Sequence, residues 1–241
     1  ENFFSRHNLP FATQNNGYDS AQNVELLLSS TPELQHHFTK LREWQEAGFF
    51  GYYGPGWNDN QQPFENGDVA MWIGSSGSFG GLQQSMQHPF ASTYLPYWGS
   101  VEGAGGSTFI GGAALFALTG HEAEENKATA AFFEFLTSPE IQYMWHRQTG
   151  YVPITTAAYE MAKADGYYDE APSAETGILQ LLLPAGEWTK GYRLGFYPQV
   201  RDVINRETGK IFAGETSVED ALKTIDEEGD QILERFAKTS G

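Results

Sequence analysis

The order of residues 69–86 constrains the fold more than any other part of the chain. The apolar run Val69-Ala70-Met71-Trp72-Ile73 predicts a short buried strand, and residues 82–86 predict a helix. The residues between them, 74–81, are all glycine or serine except Phe79. We therefore predict a tight turn whose backbone N–H groups face outward at the start of the helix, where they favour an anion. The alternative is a flexible turn that binds nothing.

This turn does not match known catalytic loops. No Gly-Lys-Ser/Thr follows it, as a Walker loop requires, and the chain contains no Gly-x-Ser-x-Gly nucleophile elbow. The six histidines show no spacing typical of metal ligands. We interpret His36 and His37 as residues of a solvated helix, His121 as part of an acidic loop, and residues 226–228 as the wet face of the last helix. The sequence therefore predicts no catalytic centre, no metal site and no cofactor.

Charge and composition narrow the classes of partner. The 241 residues include 31 acidic and 14 basic side chains, which gives a formal net charge of −17. This excess of negative charge argues against nucleic acids and anionic membranes, and a small anionic ligand would need a local basic group. The absence of cysteine excludes disulfides, thiol catalysis and thiolate metal sites. We see no apolar run long enough to span a bilayer and no targeting segment.

Helical patterns dominate the rest of the chain. Thr31 is expected to cap a helix that begins at Pro32 and ends at Gly48, and a Thr216-x-x-Glu219 capping box is expected to open the last helix. Short apolar strands are predicted between the helices. The other predicted helices cover residues 123–136, 139–148, 156–164, 173–183 and 198–213, and the predicted strands cover residues 69–73, 90–98 and 109–118.

Side chains that bind a phosphate must supply fixed donors and a cation that pairs with two oxygens, which favours arginine. Two arginines are suitably placed: Arg193 in a glycine-flanked loop and Arg201 in the first turn of a helix. Either could instead form an ordinary surface ion pair. Tyr151 is a third candidate because its hydroxyl could face a cleft, although a tyrosine here could equally lie half-buried in the core.

Five motifs carry a resemblance to a known family. They are Phe64-x-Asn66-Gly67-Asp68-x-Ala70-Met71, Ser75-Ser76-Gly77-Ser78, Ile110-Gly111-Gly112-Ala113, Trp145-His146-x-x-Thr149-Gly150-Tyr151-x-Pro153-Ile154-Thr155 and Thr189-Lys190-Gly191-x-Arg193-Leu194-Gly195-x-x-Pro198-Gln199-x-Arg201. Through them the whole chain resembles the periplasmic sn-glycerol-3-phosphate-binding proteins of ABC uptake systems, within family 1 of the extracellular solute-binding proteins.

The resemblance implies an α/β fold of the two-lobed periplasmic binding protein type II, of which this chain supplies mainly the helix-rich C-terminal lobe. It assigns residues 1–108 and 155–241 to that lobe, which would be incomplete. Residues 109–154 would form a return segment that belongs to the N-terminal lobe and the hinge. The resemblance also implies a missing N-terminal part that carries further ligand-binding residues.

Four ligand-binding residues follow from the resemblance. Ser75 matches the serine that donates to the phosphate, and Gly112 matches the glycine whose backbone N–H faces the ligand. Tyr151 matches a hydroxyl of the hinge region, and Arg201 matches the arginine that pairs with the phosphate. On this hypothesis Ser75 and Arg201 converge on one negatively charged ligand although they are far apart in sequence.

The resulting hypothesis is a non-catalytic solute-binding component of an ABC importer, either periplasmic or tethered outside the cell. Its ligand is sn-glycerol 3-phosphate or a glycerophosphodiester, and its partners are the membrane permease and the missing N-terminal part. An oligosaccharide-binding protein of the same superfamily is the alternative, with Trp57, Trp98 and Trp188 either stacking on a sugar or packing in the core. A phosphate-ester hydrolase, a glycosidase or a purely structural domain are alternatives of other classes.

Overall fold

Helices joined by long irregular segments make up the protein in a computed structural model, which describes residues 1–56 and 59–239. Short 3-10 helices lie at Ser76–Ser78 and Pro172–Glu175. The α-helices are α1 Asn2–Arg6, α2 Pro32–Glu46, α3 Gln61–Glu65, α4 Phe79–Ser85, α5 Ala123–Thr137, α6 Pro139–Thr149, α7 Thr156–Ala164, α8 Tyr167–Glu170, α9 Thr176–Leu181, α10 Tyr197–Ala213 and α11 Val218–Thr239. In the part of the chain described, no helix combines the length and apolar character that crossing a membrane requires.

The predicted helices are confirmed, with most boundaries correct to within one or two residues, because helix signals are local. α2 begins at Pro32 after Thr31, and α7 has its predicted bounds with Thr155 as its N-cap. The cap of α11 differs from the prediction: Ser217 Oγ accepts from the backbone N–H of Asp220 at 3.0 Å. The capping box predicted at Thr216 is therefore wrong by one residue.

The three strand predictions are wrong, since none of the described residues forms a β-strand. The bridge between Ala12 and Leu26 is an isolated antiparallel pair. Residues 69–73 and 109–118 have no regular structure, and their apolar side chains are largely exposed, as at Met71 (87% exposed) and Phe116 (84%). A strand needs a neighbouring backbone to pair its N–H and C=O groups, and no described segment provides one for these runs.

The chain divides into two compact units, each of which is built from several stretches of sequence. Unit 1 contains Glu1–Asn60, Pro96–Phe109 and Leu183–Gly241, and unit 2 contains Gln61–Leu95 and Ile110–Leu182. These units describe packing within this chain. The lobes predicted from the resemblance concern a longer protein, and their assignment stays a prediction.

The core of unit 1 forms where α10 and α11 pack against each other and α2 packs on both. Two carboxylates of α11 fasten the extended chain that precedes α2: Asp230 accepts from the Leu26 N–H at 2.7 Å, and Asp226 accepts from the N–H groups of Leu28 and Ser29. Asp226 is thus a structural anchor, which corrects its interpretation as part of a wet face. The fully enclosed side chains of this core include Phe11, Val200, Leu222 and Ile225.

A turn in the left-handed conformation lies at Thr13–Gly17 in unit 1. Three successive residues in it have φ between 53° and 57°, a region that costs free energy for residues other than glycine. Asn16 offsets this cost with hydrogen bonds, because its Oδ1 accepts from the Phe11 N–H at 2.8 Å and its Nδ2 donates to the Gly191 carbonyl at 2.9 Å.

The core of unit 2 is smaller and rich in aromatic side chains. Phe79 at the start of α4, Tyr167 and Tyr168 of α8, and Ile178 of α9 are buried together. α7 packs on α6, which in turn packs on α4. This arrangement brings the glycine- and serine-rich turn before α4 to the C-terminal end of α6.

Candidate functional site

The turn predicted to bind a ligand lies against the C-terminal end of α6, and glycines allow this close approach. A Cβ atom at Gly77 would lie 2.5 Å from Cζ of the Tyr151 ring. A Cβ atom at Gly80 would overlap with the backbone carbonyl oxygen of Gln148. Since real Cβ atoms keep more than about 3 Å from such neighbours, side chains at these two positions would push the turn away from Tyr151.

Ser75 holds the turn in shape. Its Oγ accepts from the Gly77 N–H at 3.2 Å, and its carbonyl accepts from the Ser78 N–H at 3.1 Å. Two of the amides that the sequence predicts to face a ligand are therefore bonded within the turn. Ser75 is half-buried, and its hydroxyl hydrogen has no acceptor in the described part of the chain, so the side chain keeps one donor for a ligand.

Tyr151 follows the left-handed Gly150 that ends α6, and its main chain is fixed on both sides. Its N–H donates to Thr149 Oγ1 at 3.1 Å, and its carbonyl accepts from His146 Nδ1 at 2.7 Å. Its side chain is 43% exposed, and its hydroxyl has no hydrogen-bond partner within residues 1–56 and 59–239. The structure thus places the Ser75 turn against Tyr151, and each of these two residues keeps a hydroxyl donor without an acceptor in the described chain.

His146 is the residue at this site that the sequence interpretation missed. It is 1% exposed, and its ring contacts the edges of Tyr167 and Tyr168. Burial lowers the pKa of His146 below its usual value, so the imidazole is neutral. The signal was its position four residues before Gly150, where a side chain of the last helical turn reaches the residue that follows the helix.

Gly112 lies in the same unit as Ser75 and Tyr151 but is not brought to them. It sits in the irregular segment 110–118 with a φ of 152°, a conformation that favours glycine. A Cβ atom placed there would meet no described atom within 4 Å. Its predicted contact with the ligand therefore stays a prediction.

Arg201 lies in the first turns of α10, in unit 1, where it already holds an oxyanion. Its Nε and Nη2 donate to the two carboxylate oxygens of Glu1 at 2.6 and 2.9 Å. Tyr197 donates its hydroxyl to the same carboxylate at 2.8 Å, and its ring lies under the guanidinium with a separation of 5.3 Å. The hydrogen bond to Glu1 raises the pKa of Arg201. Half of the Arg201 side chain is exposed (52%). Its guanidinium is oriented by the contacts with Glu1 and Tyr197 and can pair with two oxygens of a carboxylate or phosphate.

The other predicted candidates have varied environments. Arg193 is exposed, and its backbone N–H donates to the Asn16 carbonyl. Trp98 packs among histidines of unit 1, and Trp188 lies 6.0 Å from the Lys190 ammonium. Trp57 lies outside the described residues.

His37 corrects the interpretation of the histidine pair on α2. The sequence interpretation placed His36 and His37 on a solvated helix, but His37 is partly buried against Trp98. Burial lowers the pKa of His37 to about 4. Within the described ranges, no group of three or more His, Asp or Glu side chains could hold a metal ion.

The chain is similar to known bacterial proteins over its whole length. A family profile described as bacterial extracellular solute-binding protein matches residues 2–176. The chain is 39% identical to the sn-glycerol-3-phosphate-binding periplasmic protein UgpB of Salmonella typhimurium and 36% identical to the protein of that name from Escherichia coli K12. Both matches cover all of this chain and 54% of the relative. The chain therefore spans about half the length of the curated relatives it matches.

Solved structures show the same fold. UgpB from Mycobacterium tuberculosis in complex with glycerophosphocholine matches with a TM-score of 0.70 at 21% identity, over 86% of this chain and 50% of that one. The cyclic alpha-maltosyl-1,6-maltose binding protein from Arthrobacter globiformis matches with a TM-score of 0.68 at 18% identity, over 97% of this chain and 55% of that one. The predicted α/β, two-lobed binding protein fold, represented here by a helix-rich part, is confirmed by these similarities.

Proposed function

The chain belongs to the bacterial extracellular solute-binding protein family, and on that premise we propose that it is part of the sn-glycerol 3-phosphate-binding component of an ABC importer. The ligand is the phosphoglycerol group, either free or within a glycerophosphodiester. The relatives that match the whole chain at 36–39% identity carry the name of that ligand, and this supports the proposal.

The observation that carries the proposal is the position of the Ser75 turn against Tyr151. Ser75 and Tyr151 are 76 positions apart in sequence, and the turn that begins at Ser75 approaches Tyr151 closely because residues 77 and 80 are glycines. Hydroxyl donors held in a fixed geometry suit phosphate oxygens, because less freedom is lost when the ligand binds. The relatives that match the whole chain are named as binding proteins, and we propose that this protein likewise binds its ligand without chemical change.

Arg201 and Gly112 complete the proposed set of ligand-binding residues. Arg201 supplies the positive charge that an acidic protein needs at a phosphate site, and its two-point pairing with Glu1 supports its fitness for a tetrahedral oxyanion. Gly112 supplies a backbone N–H to the ligand. Its open surroundings leave room for such an approach.

We further propose that the rest of a longer protein covers the exposed apolar segments of unit 2. Ile110, Leu115 and Phe116 are 65–84% exposed, and Phe132 and Phe135 of α5 are more than half exposed. Exposure of this many neighbouring apolar side chains is typical of a surface that is buried in the complete protein. This supports the predicted role of residues 109–154 as a return segment of the N-terminal lobe, with residues 1–108 and 155–241 in the C-terminal lobe.

Location and partners follow from the proposed role. The complete protein lies in the periplasm, or is tethered outside the cell, and passes its ligand to the membrane permease of the transporter. The binding component holds its solute reversibly, and in this proposal it uses no cofactor and no nucleic acid.

Calorimetric titration of the full-length protein tests this function. We expect saturable binding of sn-glycerol 3-phosphate and no binding of maltose under the same conditions. Prolonged incubation with sn-glycerol 3-phosphate should release no inorganic phosphate. Binding of maltose but not of sn-glycerol 3-phosphate would instead support the oligosaccharide-binding alternative, and phosphate release would support a hydrolase.

A further inference from the structure

A buried hydrogen-bond chain runs from α8 through α6 to the main chain of Tyr151. The hydroxyl of Tyr168 lies 3.0 Å from His146 Nε2, and His146 Nδ1 lies 2.7 Å from the Tyr151 carbonyl oxygen. Tyr168 is 8% exposed and His146 is 1% exposed. The chain therefore connects the aromatic core of unit 2 to a residue whose side chain is at the surface.

The donors and acceptors of this chain can be assigned from its chemistry. A carbonyl oxygen only accepts, so the hydrogen of the imidazole must be on Nδ1. A neutral imidazole then has its lone pair on Nε2, which accepts from the Tyr168 hydroxyl. The Tyr151 carbonyl thus selects the tautomer of the neutral imidazole, and the Tyr168 hydroxyl, which can donate or accept, satisfies the other ring nitrogen.

We propose that His146 is a positioning residue for the ligand: it fixes the main chain of Tyr151 so that the phenol hydroxyl points in one direction, and Tyr168 fixes His146. This inference rests on the proposed function, because it assigns a purpose to the Tyr151 hydroxyl. Neither His146 nor Tyr168 touches the ligand. They increase the affinity for the ligand because the Tyr151 side chain is already oriented before the ligand binds.

Two further contacts explain why fixing the main chain also fixes the ring. The Tyr151 N–H is bonded to Thr149 Oγ1, which in turn donates to the Trp145 carbonyl at 2.7 Å. The ring itself packs closely against Gly77, where a Cβ atom would lie 2.5 Å from Cζ of the ring. The two backbone bonds fix where the Cβ atom of Tyr151 lies, and the contact with Gly77 limits rotation of the ring on that side. Loss of the His146 contact would release one of the two backbone bonds.

The charged groups near His146 form ion pairs with one another and do not hydrogen-bond to its imidazole in the described chain. Its neighbour Arg147 pairs with Asp165 and Glu170 at the surface, and the ring of Tyr167 separates that cluster from the imidazole on the α8 side. The imidazole donates only to the Tyr151 carbonyl within the described chain. The contact is therefore a specific one between α6 and Tyr151, two residues beyond its end.

The test compares His146→Leu with His146→Asn in the full-length protein. The amide Nδ2 of asparagine takes the place of the histidine Nδ1 and keeps a donor for the Tyr151 carbonyl, whereas leucine keeps bulk but no donor. We expect about 5–10-fold weaker binding of sn-glycerol 3-phosphate and faster amide hydrogen exchange at residues 150–152 and 154 for the leucine variant. The asparagine variant should stay within about twofold of the wild type in both measurements.

Equal exchange and equal affinity of the two variants would overturn the inference, because a merely structural histidine would not distinguish them. If the wild-type protein does not bind sn-glycerol 3-phosphate, the proposed function fails, while faster exchange in the leucine variant alone would still support the holding of Tyr151. If both histidine variants fail to fold, Tyr168→Phe decides instead. Wild-type exchange and affinity in that variant would overturn the inference, and faster exchange with weaker binding would support it.

Discussion

The indole N–H of Trp98 donates to Nδ1 of His37 across 3.2 Å. The backbone N–H of the same tryptophan donates to Nε2 of His7 at 2.8 Å. Both imidazoles act as acceptors, and an imidazolium has no lone pair left to accept. Burial lowers the pKa of both histidines, that of His37 to about 4. Trp98 therefore links the stability of unit 1 to pH.

The first prediction concerns this dependence on pH. A histidine whose folded-state pKa is lowered takes up its proton more readily in the unfolded chain, so stability falls as the pH decreases from about 6.5 to about 4. His37→Gln keeps an acceptor but does not titrate. Between pH 7.5 and pH 4.5, the wild type should lose roughly 1–3 kcal/mol of unfolding free energy relative to this variant, as measured by urea denaturation.

His36→Gln serves as the control, since His36 is the exposed neighbour on the same helix. Its difference from the wild type should change less with pH than that of His37→Gln. Comparing variants also removes the opposing contribution of Asp230, whose pKa is raised by burial to about 6. A pH-independent difference between wild type and His37→Gln would contradict the assignment of His37.

Adjacent glycines of α4 give the second prediction. Alanine favours helix over glycine by about 1 kcal/mol, and a Cβ atom at Gly81 would meet no described atom within 4 Å. Gly81→Ala should therefore be neutral or stabilising. A Cβ atom at Gly80 would overlap with the backbone carbonyl of Gln148, which has no flexible end that can give way.

Gly80→Ala should consequently destabilise the protein by roughly 1–3 kcal/mol and weaken ligand binding, because the Ser75 turn must move away from Tyr151. Urea denaturation gives the first quantity and calorimetric titration the second. Similar behaviour of the two variants would show that the turn does not pack against α6 in the way the structure describes.

The parts of the fold that the sequence predicts correctly depend on local interactions. The start of α2 at Pro32 and the whole of α7 follow from caps and apolar spacing within a few residues. The strand predicted at residues 109–118 depends on a partner backbone, which a pattern of apolar residues cannot supply. That run is irregular and exposed in this chain, which spans about half the length of its relatives.

The same contrast between local signals and tertiary contacts applies to the candidate site. Ser75 and Tyr151 were predicted through the resemblance, and their proximity depends on Gly77 and Gly80, whose need for space becomes clear only when the opposing backbone is known. His146 was missed because its role depends on a carbonyl oxygen and on Tyr168, and neither partner is visible as a motif. Burial of a single histidine is a tertiary property, so its sequence position alone does not reveal it.

The third prediction separates the sequence-based cap of α11 from the observed one. Ser217 accepts from the Asp220 N–H at 3.0 Å, whereas the Thr216 hydroxyl makes no hydrogen bond to that helix start in the described residues. Ser217→Ala should cost about 1 kcal/mol of unfolding free energy. Thr216→Ala should change it by less than about 0.5 kcal/mol. The reverse order, measured by urea denaturation, would restore the Thr216 capping box.

The fourth prediction compares the two arginines that the sequence offers as phosphate ligands. Arg201 is oriented by Tyr197 and Glu1, whereas Arg193 is exposed and bonded only through its backbone N–H in the described structure. Removal of an arginine that pairs with a buried oxyanion leaves that anion unpaired, at a cost of about 2–5 kcal/mol. Calorimetric titration of the full-length protein should therefore show a loss of this size in sn-glycerol 3-phosphate affinity for Arg201→Ala.

Arg193→Ala should bind sn-glycerol 3-phosphate like the wild type. Arg201→Lys should recover only part of the loss, because an ammonium keeps the charge but not the planar two-point geometry. Unchanged affinity in Arg201→Ala would remove Arg201 from the site, and a loss confined to Arg193→Ala would assign the phosphate to the other arginine.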